Sequence, residues 1–386
     1  MKEILQDFSP QELEALVIEY GEQKFRAKQI FQGLMQGKKL SELPVSAALR
    51  EKLLERFEDE PVRILEVFTS SDGTKKYLFA LADGNLIEGV LMQYKYGATQ
   101  CVSTQVGCRM GCKFCASTLN GLVRNLTAGE ILSEILVVNR AEGGTLKDRA
   151  VHNVVLMGSG EPFDNYENVI RFLRLLTMEG GIHISARNVS LSTCGLVPKM
   201  LAFAKEGIPL NLTVSLHAST DEERARTMPV ANAYKIAEIL KACDVYFKET
   251  GRRYIFEYSL IGGENSDEKH AHALAALLKG RPCHVNLIRL NEVKERSLKT
   301  VTEKAAYRFL GMLEKEGISA TLRRSMGNDI GGACGQLRAS YLEKEEGKEE
   351  EESASFGKVA AAERRRCEKG LPKTLRSKVF GKRSRK

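Results

Sequence analysis

No apolar run in the 386 residues approaches the eighteen or so that a membrane-spanning helix needs, so no membrane partner is expected. The opening Met1-Lys-Glu-Ile-Leu-Gln-Asp lacks the apolar core of a secretory signal. Nine cysteines, odd in number and scattered, do not form the framework of a disulfide-stapled secreted domain. A reducing, cytoplasmic setting is the expectation. A basic body is missing too. Of the formal net charge of +8, residues 340–386 supply 14 Lys+Arg against 9 Asp+Glu, which leaves only +3 for the rest. An anionic partner of the body must therefore meet a local patch rather than a global field.

Also absent is a second C-x2-C knuckle, and that bears on the stretch Cys108-Arg109-Met110-Gly111-Cys112-Lys113-Phe114-Cys115. A closed zinc site takes four tetrahedral ligands, usually from two knuckles. An iron-sulfur cube that only carries electrons also takes four cysteines. Three sulfurs leave one iron with an open position, where a substrate or cofactor binds. Cys108, Cys112 and Cys115 therefore read as ligands of a catalytic cluster, with a zinc-stabilised RNA-binding module without catalysis as the rival from another class.

At 43% hydrophobic content the chain can bury one barrel-sized domain and a smaller one. Residues 1–60 read as a small helical module. Ser9 caps a helix with Pro10 in first position and Glu12 in the first turn, followed by Leu13, Leu16 and Val17 at helical spacing. A second helix is expected over Lys24–Met35 with Phe25, Ile30, Phe31 and Leu34 inward, and a third over Ala47–Phe57. Lys24, Arg26, Lys28, Lys38 and Lys39 could line an RNA-facing edge, although this segment holds 9 basic against 12 acidic residues. Over 61–100 the period becomes two, with hairpin strands at Arg63–Thr69, Lys76–Ala82 and Asn85–Met92. There Leu86, Glu88 and Val90 share a face, which sets a carboxylate between apolar neighbours, where burial would let it act as a base.

From residue 101 to 339 strands alternate with helices: Cys101–Gln105, Asn153–Met157, Asn188–Ser192, Leu210–Ser215, Tyr254–Leu260 and His284–Arg289, with helices at Ala128–Arg140, Asn168–Met178, Pro198–Lys205, Ala233–Lys248, Asp267–Leu278 and Glu303–Lys315. Six parallel units predict an α/β fold, a partial (β/α)6 barrel with the active site beyond the C-terminal strand ends. Met157-Gly-Ser-Gly-Glu-Pro-Phe163, Ser192, Ser215-Leu-His217 and Asn291 all fall there.

The C-x3-C-x2-C run with Phe114 before its last cysteine resembles the radical S-adenosylmethionine superfamily. The further motifs Cys101-Val-Ser-Thr-Gln-Val-Gly-Cys108, Met157–Phe163, Leu191-Ser-Thr-Cys-Gly195, Ser215-Leu-His217 and Arg323-Arg-Ser-Met-Gly-Asn-Asp-Ile-Gly-Gly-Ala-Cys-Gly-Gln336 resemble the RlmN-type dual-specificity adenine-C2 RNA methyltransferases, from about residue 8 to about 339. The resemblance implies a radical-SAM barrel and one [4Fe-4S] cluster on Cys108, Cys112 and Cys115. It implies two molecules of S-adenosylmethionine per turnover, bound through Gly160, Glu161, Ser192, Ser215, Leu216, His217 and Asn291. Cys334 becomes the S-methylcysteine intermediate, Cys101 its partner in a transient disulfide, and Glu88 the proton acceptor. The substrates implied are 23S rRNA at the peptidyl-transferase centre and tRNA beside the anticodon, with a low-potential donor such as flavodoxin or ferredoxin supplying electrons to a monomer. The related C8-adenine methyltransferase shares the cluster and the paired cysteines and is the nearest alternative.

Cys194, Cys243, Cys283 and Cys367 receive no role, Cys194 reading as structural. Residues 340–386 lie outside the resemblance. Their 7 acidic and 2 basic groups over 340–356, then 12 basic and 2 acidic over 357–386, predict a solvated, disordered tail.

Overall fold

A capping box starts the chain's first helix as expected: Glu12 N–H donates to Ser9 Oγ and Ser9 N–H to the Glu12 carboxylate. The structure, a computed structural model, describes residues 2–293 and 295–330. Three helices form the N-terminal module: α1 (Pro10–Glu19), α2 (Phe25–Met35) and α3 (Ala47–Arg56). Leu13, Leu16, Val17, Ile30, Phe31 and Leu34 are buried as their spacing predicts, but Phe25 is 54% exposed, with the Arg26 guanidinium 4.8 Å over its ring. It sits at the first turn, before the apolar stripe closes on its neighbours. The module is fixed to the larger domain by Asp7, which accepts from Gly129 N–H through its carboxylate and from Arg171 through its carbonyl.

The ten-stranded sheet begins with antiparallel β1 (Val62–Thr69), β2 (Lys75–Leu81) and β3 (Leu86–Tyr94). Strand β4 (Gly97–Val102) pairs antiparallel with β3 and parallel with the strand on its other side, so the hairpin extension and the barrel share one sheet. Next come a two-stranded hairpin, β5 (Gln105–Gly107) and β6 (Leu122–Asn125), then α4 (Ala128–Ala141) and β7 (Asn153–Leu156). The chain continues with α5 (Tyr166–Thr177), β8 (Val189–Thr193), α6 (Val197–Ala204) and β9 (Asn211–Ser215). It closes with α7 (Asp221–Thr227), α8 (Ile236–Thr250), β10 (Tyr254–Leu260), α9 (Glu268–Leu278), β11 (Cys283–Arg289), α10 (Glu303–Lys315) and β12 (Ala320–Leu322).

The order β1-β2-β3-β4-β7-β8-β9-β10-β11-β12 is parallel from β4 onward, with the six expected strand-helix units and β12 as a short seventh parallel strand. Residues such as Val154, Leu156, Leu212, Val214, Phe256, Val285 and Leu287 are buried along these strands, the pattern of a sheet covered by helices. The strand expected over Cys101–Gln105 instead ends at Val102. Its chain turns at Ser103-Thr104 because the Thr104 and Gln105 N–H groups donate to Ser159 O, at 2.8 and 3.1 Å, rather than continuing the ladder. Helix α7 was not anticipated: its sequence, Asp221-Glu-Glu-Arg-Ala-Arg-Thr227, carries almost no apolar period.

Candidate active site

The β5–β6 hairpin encloses the three-cysteine stretch, which the predicted strand at Cys101–Gln105 and helix at Ala128–Arg140 leave in a plain connecting loop. Its neck is tight: Cys108 N–H donates to Gly121 O at 2.9 Å, and a Cβ on Gly107 (φ +78°) would fall 2.0 Å from that oxygen. Inside the loop, Cys115 N–H donates to Cys112 O, and the Thr118 hydroxyl lies 3.0 Å from both the Cys112 and Cys115 carbonyls. Arg109 pairs with Asp164 after β7, and Lys113 N–H donates to Thr227 O at the end of α7. Phe114 meets the His217 ring edge-to-face at 4.8 Å. The loop is thereby tied to two strand-helix units, those that follow β7 and β9.

Cys108 and Cys112 are buried and Cys115 half-buried. Burial pushes the Cys108 thiol up to about 12, and the nearby charges of Cys115, Glu161 and Asp164 add to it; Cys112 is raised in the same way. Three soft sulfurs this close repel as thiolates and are stabilised as ligands of a cationic centre, where a coordinating thiol is deprotonated. Among the described residues no three His, Cys, Asp or Glu side chains converge on a single metal ion. A cubane does not ask for that convergence, because each cysteine binds a different iron. The donor set fits such a cluster.

Beyond the loop lies a cradle of backbone. Gly158 N–H donates to Val102 O, and a Cβ on Gly158 would stand 2.6 Å from that oxygen. Ser159 N–H donates to Ser103 Oγ, and Gly160 adopts φ +110°. Glu161 is buried, its N–H donating to Gln105 Oε1 at 2.9 Å. Its carboxylate accepts from Phe163 N–H, Thr193 Oγ1–H and Cys194 N–H, at 3.0, 2.7 and 2.7 Å. Burial still raises its pKa against those donors. Three of its acceptor positions are held by the protein, so it knits the ends of β7 and β8 together.

The next strand ends are equally committed. Ser192 Oγ lies 3.4 Å from Glu257 Oε2, and the backbone N–H groups of Leu216 and His217 donate to Glu257 O. The Leu216 side chain is fully buried in the core, so only its backbone faces the strand ends. His217 takes φ +59°, and its Nδ1 accepts from Ser259 N–H at 2.9 Å, which leaves the proton on Nε2. Burial lowers its pKa to about 3, so the ring is neutral.

Asn291, just past β11, lines an open cleft of about 780 Å³ together with Val90, Met92, Cys101, Met157 and Arg323. On the wall of this cleft Val90 is directly opposite Cys101. Glu88, two residues before Val90, therefore shares the face of Cys101 as its diagonal neighbour, at the roughly 7–8 Å typical of such pairs. Glu88 is buried, but not among apolar groups alone: Lys76 Nζ stands 2.9 Å from its Oε2. Arg323 Nη1 reaches Glu257 Oε1 at 3.1 Å across the strand ends.

Of the expected site residues, the fold thus gathers Cys108, Cys112, Cys115, Gly160, Glu161, Ser192, Ser215, Leu216 and His217 along successive strand ends, with Cys101 and Asn291 lining the cleft and Glu88 buried one diagonal step from Cys101. Cys334 lies outside the described residues. Lys76, Glu257 and Arg224 were missed. A lysine in a hairpin strand and a glutamate in a barrel strand carry no local signal, because their partners come from other strands. Cys194 is buried beside Cys112 and Met228, as its structural reading requires.

A family model described as Radical SAM superfamily matches residues 102–275. A Clostridium perfringens (strain 13 / Type A) protein named "Probable dual-specificity RNA methyltransferase RlmN" is 52% identical over 346 residues, 89% of this chain and 98% of that protein. A protein of the same name from Clostridioides difficile (strain 630) is 50% identical over 345 residues, 88% of this chain and 98% of its own length. The crystal structure of a radical SAM methyltransferase from Sphaerobacter thermophilus is 40% identical and superposes with a TM-score of 0.82, over 86% of this chain and 98% of that one.

Proposed function

Because the chain belongs to the RlmN family within the radical S-adenosylmethionine superfamily, we propose that it methylates C2 of adenine in 23S rRNA and in tRNA. The observation that carries the chemistry is the cleft lined by Cys101 and Asn291, a space large enough for a base, with the buried Glu88 carboxylate one diagonal step from Cys101 in the sheet behind it. C2 of adenine lies between two ring nitrogens and is too electron-poor to attack a sulfonium methyl as a thiolate does. When bound, a reduced [4Fe-4S] cluster held by Cys108, Cys112 and Cys115 would supply the electron that splits S-adenosylmethionine, and the carbon radical released would take a hydrogen atom from the methyl group carried on Cys334, leaving that carbon able to add to C2.

The chain's own groups do the rest. Backbone at Gly160, Glu161, Ser215, Leu216 and His217 cradles S-adenosylmethionine, with Ser192 and Asn291 as polar contacts. Glu161 holds that cradle through its bonds to Thr193 and Cys194. Glu88, whose Oε2 lies 2.9 Å from Lys76 Nζ, takes the C2 proton from the thioether-linked base. The Cys101 thiolate then attacks the Cys334 sulfur: a disulfide forms, the bond from sulfur to the new methyl carbon breaks, and that carbon takes up a proton. An external reductant, flavodoxin or ferredoxin in kind, restores the thiols and the cluster. Reduced cysteines at the site suit a cytoplasmic setting, and among the described residues no helix is long and apolar enough to cross a membrane. The test is anaerobic turnover on unmodified RNA with a low-potential reductant, followed by mass spectrometry of the digest. 2-Methyladenosine is expected; 8-methyladenosine, or no methylation, overturns the reading.

A further inference from the structure

Arg224, on α7, is fully buried, yet among the described residues no carboxylate is paired with it. Its Nη2 donates to Cys194 O and Ser215 O, at 2.6 and 3.1 Å, and its Nε to Leu216 O at 3.2 Å; Nη1 has no hydrogen-bond partner. Carbonyls satisfy donors but carry no net charge. A buried guanidinium left with dipoles alone is an expensive group unless an anion shares its surroundings. Asp221, on the same helix, is engaged elsewhere, accepting from Ile236 N–H.

What lies beside Arg224 is the cysteine loop. Lys113 N–H donates to Thr227 O, Met228 packs against Cys112 and Cys194, and a Cβ on Gly111 would sit 3.4 Å from the Pro229 ring. Helix α7 and the residues after it are thus a wall of the loop.

We propose that Arg224 is the buried counter-charge of the three-thiolate cluster, a positioning residue that favours its more negative, reduced form. This rests on the assignment of a [4Fe-4S] cluster to Cys108, Cys112 and Cys115. A cube with three thiolates is anionic and gains a further negative charge on reduction. A fixed cation in a dry wall favours the added electron, since net charge and solvent exposure set such potentials.

The test compares the native chain with Arg224→Gln and Arg224→Lys after anaerobic reconstitution with iron and sulfide, by redox titration followed in the visible and by electron paramagnetic resonance. For Arg224→Gln the reduced-to-oxidised ratio at a fixed potential should fall at least tenfold, a shift of about 59 mV for one electron. Arg224→Lys, which keeps the charge but loses the planar fork, should stay near the native potential. Apo protein supplies the second readout: without the cluster, Arg224→Gln should melt no lower than Arg224→Lys, because both give up the fork to the Cys194, Ser215 and Leu216 carbonyls and the charge that lysine keeps meets no anion there. Native potentials in Arg224→Gln, or equal shifts in both variants, overturn the proposal. So does an apo Arg224→Gln that fails to fold, which would make the guanidinium a structural post for three carbonyls. A native chain that takes up no cluster at all would instead refute the cluster assignment.

Discussion

Lys76 Nζ and Glu88 Oε2 face each other at 2.9 Å across β2 and β3, both side chains buried. Removing one partner of such a pair is far costlier than removing both. Lys76→Met should lower unfolding free energy by about 3–5 kcal/mol in urea titration, and adding Glu88→Leu should recover much of it. Glu88→Gln keeps the shape and a hydrogen bond to Lys76 but cannot accept the proton. Product formation should drop roughly 10²–10⁴-fold, with RNA-protein adduct accumulating on denaturing gels. Normal turnover in Glu88→Gln would remove Glu88 from the mechanism.

Cys101, on the cleft wall, and Cys334 should fail in different ways. Cys334→Ala removes the methyl carrier, so neither product nor adduct should form. Cys101→Ala leaves the carrier and removes the attacking thiolate, so the chain should become covalently attached to RNA. Intact-mass analysis after nuclease digestion separates the two. A Cys101→Ala variant that releases product at the native rate contradicts the disulfide step.

His217 makes stability depend on pH. Burial, reinforced by the charge of Arg224, lowers its pKa from 6.5 to about 3. Below about pH 6.5 the unfolded chain binds a proton that the folded chain refuses, so its contribution is complete above that pH. It is lost as pH falls toward 3, at up to about 1.4 kcal/mol per pH unit. Asparagine tolerates the left-handed backbone at φ +59° and can accept from Ser259 N–H. In Arg224-containing protein, His217→Asn should therefore flatten the unfolding free energy between pH 6 and 4. An unchanged slope would place the acid sensitivity elsewhere.

Local rules carried much of the architecture. The cap at Ser9, the buried Leu13-Leu16-Val17 stripe and the β-α alternation from residue 101 are short-range patterns, and each is present. What stayed hidden depends on distant partners. Helix α7 reads as a charged turn until one sees that Arg224 is spent on the Cys194, Ser215 and Leu216 carbonyls of other segments. Lys76 looks like a solvent-facing strand lysine until β3 brings Glu88 across to it. The β5–β6 hairpin is missed because its residues alternate weakly and its closure depends on the Gly107-Gly121 contact. The site's residue types were legible from motif order, whereas the bonds that immobilise Glu161 were not.

Gly160 separates backbone strain from steric exclusion. Both Gly160 (φ +110°) and the exposed Gly180 (φ +82°) hold conformations that an L-residue resists, so alanine at either should cost about 1 kcal/mol or more. Only at Gly160 would the new Cβ collide, at 2.7 Å from Thr104 Oγ1 and from Gln105 Cβ; at Gly180 nothing lies within 4 Å. Those two neighbours form the turn whose Gln105 side chain accepts from Glu161 N–H. Gly160→Ala should therefore disturb the cradle itself and weaken S-adenosylmethionine binding at least tenfold in anaerobic equilibrium dialysis, while Gly180→Ala lowers the melting temperature and leaves binding intact. Equal affinities in the two variants would mean that the ligand is held somewhere other than the Gly158–Glu161 turn.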